Sequence, residues 1–239
     1  MKQYRQLQWT PEMVSRFWDW QSQFPEQYFT YQFARPIVAA LSHLFRGKRY
    51  ILDYGCGTGF LLPELCRLGA KVTGADFSPA SVAAANGRHG GLPNFAGIFV
   101  LDDLLAKNLT FDAIISVEVV EHLYDEQLEQ MFTALSRLLE PGGTLVLTSP
   151  NDENLKLNEL YCPASDALYH RYQHVRSWTA ASLSQAAAAH GFQPVGSFTT
   201  DFSLSWRQPY RLARRLVGRL IGRGKDPHLV CVFTRPGQD

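Results

Sequence analysis

A chain of 239 residues, 46% of them hydrophobic, is long enough for one sizeable α/β core. A formal net charge of +1, from 23 basic and 22 acidic residues, excludes a general polyanion binder. No run of about 18 apolar residues occurs, which excludes an apolar membrane span. Met1-Lys-Gln-Tyr-Arg is followed by no apolar segment of the signal-peptide kind. The four cysteines, Cys56, Cys66, Cys162 and Cys231, are scattered. That suits a reducing cytoplasm and offers no disulfide or metal framework, so no metal is expected.

In chain order, residues 9–45 are rich in aromatics, including Trp9, Phe17, Trp18, Trp20, Tyr28, Phe29 and Tyr31. They read as helices packed on a sheet edge or as a lid, with Tyr28 and Phe29 as the lid candidates because they follow Pro25 in a loop-like stretch. Residues 36–45 predict a helix closed by Gly47. An apolar run, 50–52, predicts a buried strand, followed by Asp53 and glycines at 55, 57 and 59. A helix is expected over 60–68 and a strand over 71–75, ending in Asp76. Ser78-Pro79 predicts a capped helix start, and Asn86-Gly-Arg-His-Gly-Gly91 its end. Strands follow over 95–101, ending in Asp102-Asp103, and over 111–116. A helix over 125–139 carries an apolar face at Leu128, Phe132, Leu135 and Leu139. Pro141-Gly142-Gly143 turns into a strand over 144–149. A helix over 180–190 ends at Gly191, and strands over 192–202 and 228–233 close the pattern. Alternating strands and helices imply a parallel sheet with ligands at the strands' carboxyl ends.

The strand, glycine turn and helix at 50–68 form a nucleotide-binding crossover. Glycine permits the tight turn and lets a ligand lie on bare main chain. In the dinucleotide pattern G-x-G-x-x-G the third glycine falls one place later, where this chain has Phe60. Asp76 lies 21 residues after Gly55, the distance for a carboxylate that accepts both ribose hydroxyls.

Asp53-x-Gly-x-Gly-x-Gly59 with Asp76 resembles the class I S-adenosylmethionine-dependent methyltransferases. So do Asp76-Phe-Ser-Pro-Ala80, Phe111-Asp-Ala-Ile-Ile-Ser-Val-Glu-Val-Val-Glu-His-Leu123 and Leu139-Glu-Pro-Gly-Gly-Thr-Leu-Val-Leu147. The resemblance covers residues 48–150 in order. It implies a Rossmann-like, doubly wound, seven-stranded and mostly parallel sheet with an antiparallel last strand and an N-terminal helical cap. The implied division is one methyltransferase domain over 1–239: a cap at 1–46, a cofactor half at 47–150 and a substrate half at 151–239.

The resemblance implies S-adenosyl-L-methionine as cofactor and S-adenosyl-L-homocysteine as product. Cofactor residues would be Asp53, Gly55, Cys56, Gly57, Gly59, Asp76, Phe77, Asp102 or Asp103, Val117 and Glu118, with Tyr28 and Phe29 from the cap. Asp53 would hold the ammonium, Asp76 the ribose and Asp102, with Asp103 as rival, the adenine amine. A base is needed only where the nucleophile arrives protonated. His122 is the first candidate and His174 the second. Cys162-Pro163 and His170-Arg-Tyr-Gln-His-Val-Arg176 are expected to form a substrate loop, with His174 and Arg176 towards the methyl.

Residues 203–226 are an unusual insert, and 207–225 hold seven basic residues and no acidic one before Asp226. Apolar pairs at 212/213, 216/217 and 220/221 predict one helical stripe. It reads either as a packed helix or as contact with an anionic membrane surface. The expected function is methyl transfer to a small-molecule or lipid- or sugar-linked acceptor, without nucleic acid, in the cytoplasm or at the membrane periphery. The alternatives are a nicotinamide dinucleotide oxidoreductase and a non-catalytic cofactor-binding subunit.

Overall fold

The computed structural model describes residues 4–203 and 225–237. Short apolar, β-branched segments form the strands of one sheet, and its order among the described residues is set by parallel crossovers. The elements are β2 (Tyr50–Tyr54), β3 (Lys71–Asp76), β4 (Phe95–Val100), β5 (Phe111–Val117), β6 (Leu139–Pro150), β9 (Gln193–Thr200) and β10 (His228–Thr234). They lie in the order β4-β3-β2-β5-β6-β10-β9. Only β10 runs antiparallel, pairing with β6 on one side and β9 on the other. The expected seven-stranded architecture with an antiparallel last strand is therefore present. The switch in strand order between β2 and β5 opens a crevice at their carboxyl ends, where ligands of such sheets bind.

Helices cover both faces. α4 (Pro79–His89), α5 (Leu101–Ala106), α6 (Asp125–Leu138) and α7 (Ala180–Ala189) follow their strands. Ser78 caps α4, its hydroxyl accepting from Ser81 N at 3.2 Å, and Pro79 occupies the first turn where no N–H is needed. α6 buries Leu128, Met131, Phe132, Leu135 and Leu138 along one stripe, and Phe132 meets the buried ring of Phe192 at 6.0 Å.

Four local expectations are corrected. The helix after the glycine turn is only α3 (Leu62–Cys66), because Pro63 fits a first turn rather than a helix interior. After α1 (Pro11–Gln21), α2 spans Phe29–Leu41 with Pro36 inside it, so Phe29 opens a helix rather than lying in a loop and Tyr28 is the single extended residue that caps it. β4 stops at Val100, and Asp102 and Asp103 fall in the first turn of α5, where carboxylates meet the positive helix end. The stretch 159–170 is a hairpin, β7 (Glu159–Cys162) and β8 (Ala167–His170), with β1 (Arg5–Gln6) as third strand. The hairpin turns at Asp166, whose φ of +47° suits an Asp. No helix among the described residues is long and apolar enough to cross a membrane. The basic stripe expected within 207–225 lies outside the described residues, except for Lys225.

Candidate active site

The glycine turn is pinned by backbone before any side chain acts. Gly55 N and Cys56 N donate to Ala75 O at 2.8 and 3.0 Å. Gly55 sits at φ +73°, and a Cβ there would stand 2.7 Å from Val119 Cγ2. Gly57 has φ +52°, and a Cβ there would meet Tyr28 Cε1 at 3.5 Å. The Tyr28 ring thus lies over the turn. Asp76 ties the turn to the next helix: Oδ2 accepts from Gly57 N at 2.8 Å and Oδ1 from Ser78 N at 2.9 Å. Each oxygen keeps a lone pair for a ribose hydroxyl. Asp53, 2% exposed at the end of β2, has an Oδ2 without any hydrogen-bond partner. Burial, then the Asp76 charge, pushes its carboxyl up to about 8. Bare main chain above an unpartnered carboxylate oxygen fits the methionine ammonium of S-adenosylmethionine.

The turn after β5 forms the second half. Glu118 adopts φ +53°, a conformation rare for a non-glycine residue and frequent at functional sites. Thr148 holds it there, accepting from Glu118 N at 3.1 Å and donating to Oε1 at 2.8 Å through its hydroxyl. Glu121 is 1% exposed, and neither carboxylate oxygen has a hydrogen-bond partner; the neighbouring Ser149 hydroxyl is also unpartnered. Burial, reinforced by the Glu118 charge, holds its carboxyl well above the usual range.

His122 follows directly. Its Nδ1 lies 3.4 Å from Gln173 O, and Gln173 Nε2 donates to His122 O at 3.0 Å. A carbonyl only accepts, so Nδ1 carries the proton and Nε2 the lone pair. Burial first, then His174, pushes the His122 pKa down to about 3, so the ring is neutral near pH 7. Trp18 closes the top: its indole crosses His122 edge-on at 5.0 Å and its Nε1 donates to Gln173 Oε1 at 3.1 Å.

His174 stands 4.9 Å from His122, centroid to centroid. Its Nδ1 is 2.5 Å from Glu153 Oε2, and His170 Nε2 is 3.3 Å from Glu153 Oε1. Burial opposes ionisation of Glu153, but hydrogen bonds from His170 and His174 hold the carboxyl well below its ordinary value.

The structure gathers Asp53, Gly55, Cys56, Gly57, Gly59, Asp76 and Tyr28 around the glycine turn, with Val117, Glu118, His122 and His174 beside it. Phe77 is 54% exposed next to Asp76. Two candidates point elsewhere. Phe29 packs on Phe33, Phe202 and His228, because opening α2 turns it towards the sheet. Arg176 is paired with Asp125 at 2.9 Å, so its guanidinium is spent on the start of α6. Glu121, Glu153, Gln173 and Trp18 were missed as site residues. For Glu121 a signal existed, since it follows Glu118 at i+3 and precedes His122. A surface cavity of about 480 Å³ lined by Lys48, Arg49, Tyr50 and Lys71 holds none of these groups.

Comparison with known proteins agrees with this geometry. Residues 24–196 match the methyltransferase domain family. The ubiquinone biosynthesis O-methyltransferase of Cereibacter sphaeroides is 38% identical over 122 residues, 50% of this chain and 47% of that protein. The protein of the same description from Nitrosococcus oceani is 34% identical over 143 residues, 59% of each. The chain thus spans about half the length of the curated relatives it matches. Among solved structures, 1,6-didemethyltoxoflavin-N1-methyltransferase of Burkholderia thailandensis, with S-adenosylhomocysteine bound, shares the fold. Its TM-score is 0.66 at 16% identity, covering 97% of this chain and 92% of that one. Glycopeptide N-methyltransferase MtfA complexed with S-adenosylmethionine gives 0.60 at 14% identity, covering 85% and 94%. The family match takes in the glycine turn, the Asp76 carboxylate and the turn after β5 together, and it removes the nicotinamide alternative: the chain belongs to the class I S-adenosylmethionine-dependent methyltransferases.

Proposed function

We propose that this chain moves a methyl group from S-adenosylmethionine to a hydroxyl oxygen on a small-molecule or lipid- or sugar-linked acceptor. The observation that carries this reading is the His122–His174 pair. Both Nδ1 atoms are engaged by acceptors, Gln173 O and Glu153. Because burial holds the His122 pKa down to about 3, the Nε2 lone pair of His174 is the base of the site and the neutral His122 ring orients the acceptor beside it. An amine arrives with its own lone pair, whereas a hydroxyl must shed a proton, so a base beside the reacting centre favours oxygen. The similarity to proteins described as O-methyltransferases supports the same choice.

In this reading Asp76 holds the ribose hydroxyls and Asp53 the ammonium. Phe77 offers its exposed ring to the adenine, whose amine reaches Asp102 or Asp103. Tyr28 covers the turn, and Trp18 excludes water above His122. The sulfonium of the cofactor supplies both the methyl group and a neutral leaving group. The residues need only align the acceptor oxygen and relieve it of its proton. Incubating the purified chain with S-adenosylmethionine and matched phenol, catechol and aniline acceptors tests it, with S-adenosylhomocysteine as readout. Methylated anilines with untouched phenols and catechols would sink the oxygen assignment.

The seven basic residues that the sequence carries within 207–225 motivate a second part of the proposal, contact with anionic membranes. Each Arg near such a surface contributes about 1 kcal/mol, screened by salt. Replacing Arg211, Arg215 and Arg219 with Gln is expected to release the protein from anionic vesicles in a sedimentation assay and leave cofactor affinity alone. A parent protein that ignores such vesicles at low salt ends the idea.

A further inference from the structure

Glu121 is the least explained residue of the fold. A carboxyl 1% exposed, with no well-formed hydrogen bond to either oxygen and only the Ser149 hydroxyl close by, is costly to bury ionised, so it either keeps its proton or meets a cation. A carboxylate oxygen of Glu121 and one ring nitrogen each of His122 and His174 lie within 4.8 Å of one another. The two imidazole planes cross at 72°, so a single point can lie near both planes, as a shared ligand atom requires.

The surroundings have the form of a supporting shell. A metal-bound histidine commonly donates its other N–H to a carboxylate or a backbone carbonyl, which fixes the tautomer. His174 Nδ1 does so to Glu153 at 2.5 Å, and His122 Nδ1 faces Gln173 O at 3.4 Å. Gln173 is fully buried at φ +62°, a strained position that sets both its carbonyl and its side chain against His122. The neighbouring trio Glu153, His170 and His174 is equally close-packed but does not suit an ion. Its two rings are stacked at 4.4 Å and 20°, so no nearby point lies in both planes. His170 Nδ1 also accepts from Tyr172 N and His174 N, which puts its proton on Nε2 and leaves no lone pair for a metal there.

We propose that Glu121, His122 and His174 hold a divalent transition-metal cation, with Glu153 and Gln173 as its supporting residues. Two imidazoles and one carboxylate with open positions suit Zn²⁺, Co²⁺, Mn²⁺ or Fe²⁺ better than Mg²⁺, which prefers oxygen donors. The binding site stands on geometry alone; its role rests on the hydroxyl-methylation reading, and there the ion occupies the Nε2 lone pairs and acidifies the hydroxyl in place of a free imidazole base. In that role the acceptor's hydroxyl oxygen occupies an open position and is polarised there. The S–CH₃ bond breaks with its electron pair returning to sulfur, the O–CH₃ bond forms, and the hydroxyl proton leaves to water.

The test uses the full chain, stripped with a chelator and titrated with Co²⁺ and Zn²⁺, following Co²⁺ visible absorption and calorimetric heat. One equivalent is expected to bind. Glu153→Gln should weaken binding by about 10- to 100-fold, and Glu121→Gln or His174→Ala by more. S-adenosylhomocysteine affinity, measured alongside, reports that each variant is folded. No stoichiometric binding by the parent, or parental affinity in a folded Glu121→Gln, overturns the site. Methyl transfer to a hydroxyl that survives complete metal removal overturns the ion's role and leaves the hydroxyl reading standing. Stoichiometric metal binding with no transfer to any hydroxyl supports the site and overturns the hydroxyl reading instead.

Discussion

Two buried carboxylates, Asp76 and Glu121, stand at the ends of parallel strands and are treated in opposite ways by the chain around them. Asp76 takes backbone N–H groups from Gly57 and Ser78 on its two oxygens, so the glycine turn and the start of α4 are assembled without ligand. Glu121, on the turn after β5, takes no comparable bond from a neighbouring segment of main chain, with only its own N–H and the Ser149 hydroxyl near the carboxyl. A carboxylate satisfied by main chain shapes a site in advance. One left unsatisfied at the same depth is held in its protonated form until a cation or another donor meets it. In the proposed function the cofactor side is therefore preorganised, and the acceptor side is completed by what binds there.

The largest effect should come from breaking the preorganised half. Gly57→Val forces a β-branched residue into φ +52° and drives its side chain towards the Tyr28 ring, 3.5 Å from the Cβ position. S-adenosylhomocysteine binding by calorimetry should be lost while the circular-dichroism spectrum stays near the parent's. Parental binding by the folded variant would place the site elsewhere.

Asp76→Ala comes next. It removes the acceptor of Gly57 N and Ser78 N and, in the proposed role, two charge-assisted bonds to the ribose, so affinity should fall at least about tenfold. A folded variant with parental affinity would show that Asp76 serves the turn alone.

Asp53 sharpens the comparison through pH. Its folded carboxyl titrates near 8 against an ordinary 3.8. Between those values the folded chain holds a proton that the unfolded chain has released, so stability of the ligand-free protein should fall as pH rises through the window. Asp53→Asn should flatten that slope in thermal unfolding scans and be the more stable form at pH 8. Glu121, whose carboxyl is also raised, should leave a residual slope of the same sign. Equal slopes in parent and variant would mean that Asp53 is ionised at neutral pH.

The smallest expected change is Trp18→Phe. It keeps the ring beside His122 but removes the donor to Gln173 Oε1, leaving a buried acceptor unpaired at about 1–3 kcal/mol. Urea unfolding should register that cost. An unchanged midpoint would mean that water replaces the indole.

Legibility in the sequence followed the same division. Asp53, Gly55, Gly57 and Asp76 were readable because strand, turn and carboxylate all fall within residues 50–76 and their spacing is dictated by local backbone geometry. Glu153 and Gln173 were not, because their partners are distant in sequence: Glu153 meets His174 21 residues on, and Gln173 meets Trp18 155 residues back. No local period marks such contacts; only tertiary packing produces them. The hairpin at 159–170 was hidden for a related reason, since each strand has only four residues and a third strand from the N-terminus completes the sheet.

The antiparallel entry of β10 has a consequence for how such a chain can diversify. β9 ends at Thr200 and β10 begins at His228, and these two residues are register partners, with Pro150 on β10's other side. The chain therefore departs from and returns to the rim of the crevice, where Asn151 Nδ2 donates to Asp226 O at 3.0 Å and Lys225 pairs with Asp152. A tract anchored at two adjacent points can be lengthened, shortened or exchanged at little cost to the sheet, since doubling a loop costs only about 0.6 kcal/mol. Inheritance can then vary the length and composition of what joins these two anchor points while the strands that carry them stay as they are.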